Sequence, residues 1–339
     1  MKICIISFSK RSKGSCAHIA SELFRLHGSD QAEIFDFSRL DISPCGGCDY
    51  QCFDDRTACP YFSDSVYRLY EEITDSDLVY FIVPNYCDYP CSAFFAFNER
   101  SQCYFQGRPE LLDKYLSVRK KFIVVSNTGQ DNFISAFRYQ INENEAPDIL
   151  FLSAKKFDKI SIKGDLTDSQ AVRKIIGHFA ATDLEPLAEI NLNSVREIER
   201  DDVPADFADD ADAIMELTRY GSENNCIGDT YAIKYKSKYI GVILLGEAIP
   251  WETDPPQMRE EPFYRLMGFV LDKKYRSMGI GGFVLEKTID LCYEKYGIRP
   301  IALGCHRDNT KAARFYEKHG FVKTEYTEGD DIYYLRYPC

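Results

Sequence analysis

Between Phe269 and Phe283 the chain reads Phe-Val-Leu-Asp-Lys-Lys-Tyr-Arg-Ser-Met-Gly-Ile-Gly-Gly-Phe, a strand, a turn and the start of a helix. The apolar start, Leu266 to Leu271, gives way to Arg276, Gly279, Gly281 and Gly282. One basic side chain and several exposed backbone N–H groups therefore gather where a helix begins, a cradle suited to a pyrophosphate. Val284, Leu285, Thr288, Ile289 and Cys292 recur at helical spacing, which puts the turn at the positive end of an amphipathic helix. The Gly-Lys-Ser/Thr of a P-loop is missing. A dinucleotide fingerprint is also a poor fit, because the glycines follow an arginine at fixed interval: the pattern is R-x-x-G-x-G.

A second block, Asn309-Thr-Lys-Ala-Ala-Arg-Phe-Tyr-Glu-Lys-His-Gly-Phe321, follows in order. Together the two blocks resemble the acetyl-CoA signature and the next segment of the GNAT superfamily of N-acetyltransferases, over residues 190 to 339. The resemblance implies a mixed α/β domain in which the strand ending near Leu271 splays from one at Pro300 to Gly304, so that pantetheine lies between them. It assigns the pyrophosphate to Arg276, Ser277, Met278, Gly279, Ile280, Gly281 and Gly282, and sets Asn309 and Tyr316 beside the thioester. Acetyl transfer to an amine needs a deprotonated nucleophile, a held oxyanion and a protonated leaving thiolate. Tyr316 suits the last role. Glu247, at the end of a predicted strand, is the expected base, and Glu252, Glu260 and Glu261 fall in a polar loop expected to shape the acceptor site.

The first half repeats the strand, phosphate loop and helix theme. Lys2 to Ser7 is a short β-type run, and a helix of Cys16, Ile19, Ala20, Leu23 and Phe24 follows the polar stretch between them. Ser9, Arg11, Ser12, Gly14 and Ser15 can wrap a phosphate monoester, which suits a mononucleotide better than a pyrophosphate. Strands are expected at Glu33 to Phe37, Leu78 to Val83, Lys121 to Ser126 and Lys159 to Ile162. Helices are expected around Ser63 to Ile73, Ser92 to Asn98 and Leu166 to Phe179. This alternation implies a doubly wound parallel sheet with its ligand beyond the carboxyl ends of the strands. The segments after Val83 and Val125 offer Pro84, Asn85 and Tyr86 for a flat ring and Asn127, Thr128 and Gly129 for amides.

Over residues 1 to 180 the chain resembles the flavodoxin-like NADPH-dependent FMN reductase family, including its iron-sulfur flavoprotein branch. The match rests on Ser9 to Ser15, on Cys45-Gly-Gly-Cys48, and on Pro84-Asn-Tyr86 followed by Ser92, Ala93, Phe97 and Arg100. It implies bound FMN, with NAD(P)H as hydride donor. Cys45, Cys48, Cys52 and Cys59 are spaced compactly enough for four thiolates to hold a cluster, but the gap before Cys52 is one residue longer than in the cluster-binding members. Free thiols are therefore the leading expectation, an iron-sulfur cluster the alternative, and zinc a further one.

A length of 339 residues accommodates two domains, placed at 1 to 185 and 186 to 339 from the acidic, proline-punctuated stretch that begins at Thr182. Within the second, Ala188 to Ile198 reads as a strand, Ala211 to Arg219 as a helix, and Thr230 to Tyr235 with Tyr239 to Leu245 as a hairpin. A net charge of -12 disfavours nucleic acid and anionic membrane as partners. No run approaches the ~20 apolar residues of a membrane span, and nine of the thirteen cysteines precede residue 104 without an export signal, so a cytoplasmic protein is expected. The combined reading is a fusion of an FMN-dependent NAD(P)H oxidoreductase with an acetyl-CoA-dependent N-acetyltransferase. Its acceptor is a small-molecule or peptide amine, and any homodimer is expected through the flavodoxin-like domain. Alternatives are a flavin or thiol redox-sensing module that regulates the acetyltransferase, and a non-catalytic CoA-binding scaffold.

Overall fold

Runs such as Ile3–Ser7, in which every side chain is buried, identify strands covered on both faces, as parallel sheets require. The computed structural model describes residues 1–126, 133–143, 145–204 and 207–338, and divides into two units, Met1–Ala180 and Ala181–Cys339. The first contains β1 (Ile3–Ser7), β2 (Ala32–Asp36), β3 (Leu78–Tyr86), β4 (Tyr89–Pro90), β5 (Arg119–Ser126) and β6 (Asp148–Ser153). Its sheet order is β2-β1-β3-β5-β6, all parallel, with the short β4 folded back on the end of β3. Setting β4 aside, this is the 2-1-3-4-5 order of flavodoxin-like folds, whose switch point lies between β1 and β3. Cys4, Ile6, Phe81, Val83, Phe122 and Val124 point into one core with helices Ser65–Thr74 and Ser92–Glu99. Helix Ser15–His27 covers the other face, where His27 meets the Tyr80 hydroxyl at 3.0 Å.

The fifth parallel strand differs from expectation. It is Asp148–Ser153, whereas Ile160 and Ile162 are exposed and Ser161–Lys163 forms a turn of 3₁₀ helix. Only the last two residues of this edge strand are buried, so its apolar signal is weak. Helices Ser101–Phe105 and Pro109–Ser117 also form where the sequence reading placed none.

The second unit holds a seven-stranded sheet of β7 (Thr182–Pro186), β8 (Gly228–Tyr235), β9 (Lys238–Glu247), β10 (Tyr264–Leu271), β11 (Ile301–His306), β12 (Val322–Glu328) and β13 (Asp331–Arg336), in the order β12-β13-β11-β10-β9-β8-β7. β7 pairs with β8, so Thr182 to Glu185, assigned by sequence to the first domain, belong to the second sheet. The segment read as a strand from Ala188 to Ile198 is instead the helix Glu189–Arg196. Leu192 and Val195 are buried three residues apart while Ile190 is 92% exposed, a helical pattern, and Asn191 Oδ1 caps the start by accepting from Ala188 N at 2.9 Å. This helix and Ala211–Glu223 cover one face of the sheet; Ile280–Tyr296 and Thr310–Lys318 cover the other.

β10 and β11 are the only parallel neighbours described in this sheet, and they pair at just Tyr264↔Ile301 and Arg265↔Ala302. Beyond Arg265 they part. A register shift between Leu266 and Gly268 in the pairing of β10 with β9 marks the same place. Among the described residues no helix is long and apolar enough to cross a membrane.

Candidate functional site

The turn after β10 carries the anion-binding features. Asp272 starts a short 3₁₀ turn by accepting from Lys274 N at 2.9 Å, and Ser277 and Gly279 both take positive φ, 60° and 88°. Gly279 is the N-cap of helix Ile280–Tyr296 and no side chain satisfies the first turn, so its N–H groups are available to an anion. Arg276 donates through Nε to the Leu271 carbonyl at 2.8 Å and through Nη1 to both carboxylate oxygens of Asp202 at 2.7 Å. Its Nη2 is buried without a partner among the described residues. An unsatisfied buried guanidinium nitrogen beside free helix-start amides fits a pyrophosphate. Lys273 and Lys274 are held by carboxylates of the same segment as Asp202: Lys273 reaches Asp201 at 2.7 Å, and Lys274 pairs with Glu199. That segment belongs to the acidic stretch after Thr182, which the sequence used only to place the domain boundary; its pairing with the turn was not foreseen.

The neighbouring glycines serve packing as well. A Cβ on Gly282 would lie 2.6 Å from Cε1 of His319, and one on Gly281 would lie 3.2 Å from Leu271 Cδ1. The helix Ile280–Tyr296 thus comes close to Thr310–Lys318, and His319 Nδ1 meets Glu286 Oε1 at 3.0 Å.

Tyr316 lies on the second of these helices, its ring edge-on to Phe315 and Phe321 at 5.3 and 5.7 Å. Tyr316 is partly buried, and its hydroxyl makes no hydrogen bond among the described residues. Burial, with a smaller push from the Cys305 thiol on β11, raises its pKa well above the ordinary phenol value. The hydroxyl is therefore a proton donor throughout the physiological range. Asn309 is the N-cap of the Tyr316 helix, its Oδ1 accepting from Ala312 N at 3.2 Å.

Glu247 is placed elsewhere. It stands opposite Tyr264 at the closed end of the β9–β10 pair, and one carboxylate oxygen accepts from Ile227 N at 3.2 Å. Tyr264 packs into the core under helix Ile280–Tyr296, so Glu247 lies on the face of the sheet that this helix covers.

In the first unit the loop after β1 meets the carboxyl ends of β3 and β5, as a doubly wound sheet requires: one cavity is lined by Ser9, Arg11, Gly14, Ser15, Pro84, Asn85, Tyr86 and Val125, with Ser161 and Ile162 from the segment after β6. Ser9 Oγ accepts from Arg11 N at 3.1 Å. Gly14 caps helix Ser15–His27 with no side-chain bond to the first turn, which leaves its amides to a phosphate. Ser12 is exposed in the same loop. Ser15 Oγ is already engaged by the Ser161 carbonyl at 3.0 Å, so this hydroxyl braces the loop. Asn85 is fixed by Ser126 Oγ at 3.1 Å and by Asp88 N at 2.9 Å, and Tyr86 and Tyr89 stand exposed on the hairpin beyond it. Asn127, Thr128 and Gly129 lie outside the described residues.

Arg100, matched by sequence to the flavin-ring segment, is fully buried under the cysteine turn. It binds Asp64 Oδ2 at 2.5 Å, the carbonyls of Ser43 and Tyr61 at 3.0 and 3.1 Å, and the Cys103 thiol at 3.4 Å. Its task is to tie that segment down. Cys45, Cys48, Cys52 and Cys59 are free, with Cys52 and Cys59 buried. Burial first, then Cys103 and the other thiols of the group, raises the pKa of Cys45 and Cys52. Cys103, unremarked in the sequence, is thus a fifth member of the neighbourhood. Among the described residues no group of three or more His, Cys, Asp or Glu side chains is arranged to hold a metal ion.

Parted parallel strands above a glycine-started helix, and a 2-1-3-4-5 sheet with a polar loop at its switch point, define an acetyltransferase-type fold and a flavodoxin-type fold on one chain. Residues 1–132 match the NADPH-dependent FMN reductase family and residues 192–321 the acetyltransferase (GNAT) family, so both domains are present. No protein with a curated description matches. Similar solved structures include the PaiA N-acetyltransferase of Thermoplasma acidophilum in complex with coenzyme A, at 20% identity over 47% of this chain and 99% of that one, with a TM-score of 0.35. PH1933 of Pyrococcus horikoshii OT3 is similar at 20% identity over 47% and 99% of the two chains, with a TM-score of 0.33. Arabidopsis thaliana Naa50, in complex with the bisubstrate analogue CoA-Ac-MVNAL, is similar at 19% over 46% and 97%, also with a TM-score of 0.33.

Proposed function

We propose that the second unit transfers an acetyl group from acetyl-CoA to an amine and that the first is an FMN-dependent NAD(P)H oxidoreductase, two enzymes on one chain. The observation that carries the first half is the cleft: β10 and β11 pair at two residues and then part, between a helix-start anion site and a tyrosine whose hydroxyl has no partner among the described residues. The N–H groups at the start of helix Ile280–Tyr296, with Arg276, hold the pyrophosphate, and pantetheine lies between the parted strands. When the amine adds to the thioester carbonyl and the C–S bond breaks, Tyr316 gives its proton to the departing thiolate. In the first unit, the loop from Ser9 to Ser15 holds the FMN phosphate, and Pro84, Asn85 and Tyr86 border the ring. When bound, FMN supplies hydride chemistry. The cysteines from Cys45 to Cys59 are read as free thiols. Partners are small molecules or a peptide amine.

Two measurements on the full chain test this reading. Calorimetric titration should show one acetyl-CoA per chain, with acetyl transfer to at least one of a panel of amines; absence of binding removes the acetyltransferase. FMN titration followed by NADPH oxidation with a quinone acceptor tests the other half, and a chain that retains no flavin removes it. Iron and sulfide assayed after anaerobic purification test the thiols, since stoichiometric amounts lost on Cys48→Ala would show a cluster.

A further inference from the structure

The sheet of the second unit presents two unlike faces where its strands part. Ile301, Leu303 and Cys305 of β11, with Ile332 and Tyr334 of β13, pack into the core under helix Ile280–Tyr296. Ala302, Gly304 and His306 alternate to the other face, and the antiparallel register sets Leu335, Tyr333 and Asp331 directly opposite them. With the first face filled, an acceptor reaches a thioester between β10 and β11 from the second.

Gly304 is exposed on that face, and Asp331 leans over it: Oδ2 is 3.2 Å from where a Cβ on Gly304 would stand. Three of the nearby carboxylates are engaged elsewhere. Asp254 takes Arg265 at 2.6 Å, Glu328 accepts from the Tyr333 hydroxyl at 2.7 Å, and Asp330 pairs with Arg307 at 3.0 Å. Asp331 is half-buried and, among the described residues, neither hydrogen-bonded nor ion-paired. We propose that Asp331 is the catalytic base, binding an acceptor that arrives as a primary ammonium ion and taking its proton; this rests on the acetyltransferase reading.

The groups facing Asp331 support that work. Burial raises its proton affinity, His306 across the strand pair opposes, and Glu328, Asp330 and Asp209 add to it. A carboxylate so placed is a better base than an ordinary one and attracts a cation. The ammonium gives one proton to Asp331, the free amine forms the new C–N bond at the thioester carbonyl, and the C–S bond breaks. Tyr316 protonates the thiolate, and the second nitrogen proton passes to solvent, which restores Tyr316. Asp331 then releases its own proton, so one amine and one acetyl-CoA give one amide, one free CoA thiol and one proton.

The test compares the full chain with Asp331→Asn, using acetyl-CoA with spermidine, a lysyl peptide and a peptide with a free N-terminus as acceptor probes. The expected result is a fall in kcat/KM of about 10²-fold or more at pH 7, with acetyl-CoA affinity unchanged. The deficit should shrink toward pH 10, where a primary amine near the ordinary lysine value of about 10.4 deprotonates unaided. Parental kcat/KM at pH 7 would remove Asp331 from the reaction and leave the acetyltransferase standing. A loss that is the same at every pH and comes with weaker acetyl-CoA binding would make it structural and overturn the proposal. A parental chain that binds acetyl-CoA but acetylates none of the probes overturns both readings together.

Discussion

Asp202 holds Arg276 through both carboxylate oxygens, each 2.7 Å from the same Nη1, while Nη2 of that guanidinium is buried and unpaired among the described residues. The carboxylate occupies one side of an arginine that a pyrophosphate would also use. Ion pairs as exposed as this one contribute about 0.2–1 kcal/mol. Asp202→Asn should therefore tighten CoA binding by about 1.4- to fivefold, since about 1.4 kcal/mol corresponds to tenfold, whereas Arg276→Gln should weaken it and flatten its salt dependence. Calorimetric titration at two salt concentrations decides; weaker CoA binding in Asp202→Asn would mean that the aspartate orients the arginine and does not compete for it.

Tyr316→Phe removes one hydroxyl that has no partner to leave stranded. If its proton goes to the departing thiolate, kcat should fall about 10²-fold with CoA affinity nearly intact. Because burial raises the tyrosine's pKa, the parent should show no alkaline loss of activity through this group between pH 7 and pH 9. Parental turnover in the variant would make Tyr316 a packing residue. Gly281→Asp is a poorer probe, since a side chain there also presses on Leu271.

Gly164 has φ +75°, and a Cβ on it would lie 2.4 Å from the Lys13 carbonyl in the phosphate loop. Gly164→Ala should push that loop out of shape and lower FMN affinity by about tenfold or more, about 1.4 kcal/mol, leaving acetyl-CoA binding unchanged. Quenching of flavin fluorescence on titration gives the answer, and unaltered FMN affinity would detach the segment after β6 from the flavin site.

Lys120, buried on β5 and donating to the Tyr115 and Val118 carbonyls, has its pKa pushed down to about 7 by desolvation. The unfolded chain therefore binds more protons than the folded one between about pH 7 and the ordinary lysine value of about 10.4, and stability rises with pH across that window. The slope should be on the order of 1 kcal/mol per pH unit and should flatten in Lys120→Met. Urea unfolding followed by circular dichroism measures it, while fluorescence of the single tryptophan, Trp251, reports the second unit separately. An equally steep rise in the variant would assign it to other groups.

The two loops proposed to hold phosphates were legible in the sequence because each is contiguous. Arg276 to Gly282 and Ser9 to Ser15 place their chemistry, turn residues and following helix on one short segment, and local preference alone decides the conformation. The alternation of strands and helices announced the doubly wound sheet for the same reason. Local reading failed where tertiary packing chose between conformations: Glu189–Arg196 became a helix by burying Leu192 and Val195, and Asp148–Ser153, not Lys159 to Ile162, took the sheet edge. It was silent on pairs made by distant segments. Asp202 lies 74 residues before Arg276, Asp64 and Cys103 meet only through buried Arg100, and Asp331 comes over Gly304 only because β13 lies beside β11. Whether a carboxylate is solvated, paired or left free to take a proton depends on what the fold sets beside it, which no local reading of Glu247 or Asp331 could supply.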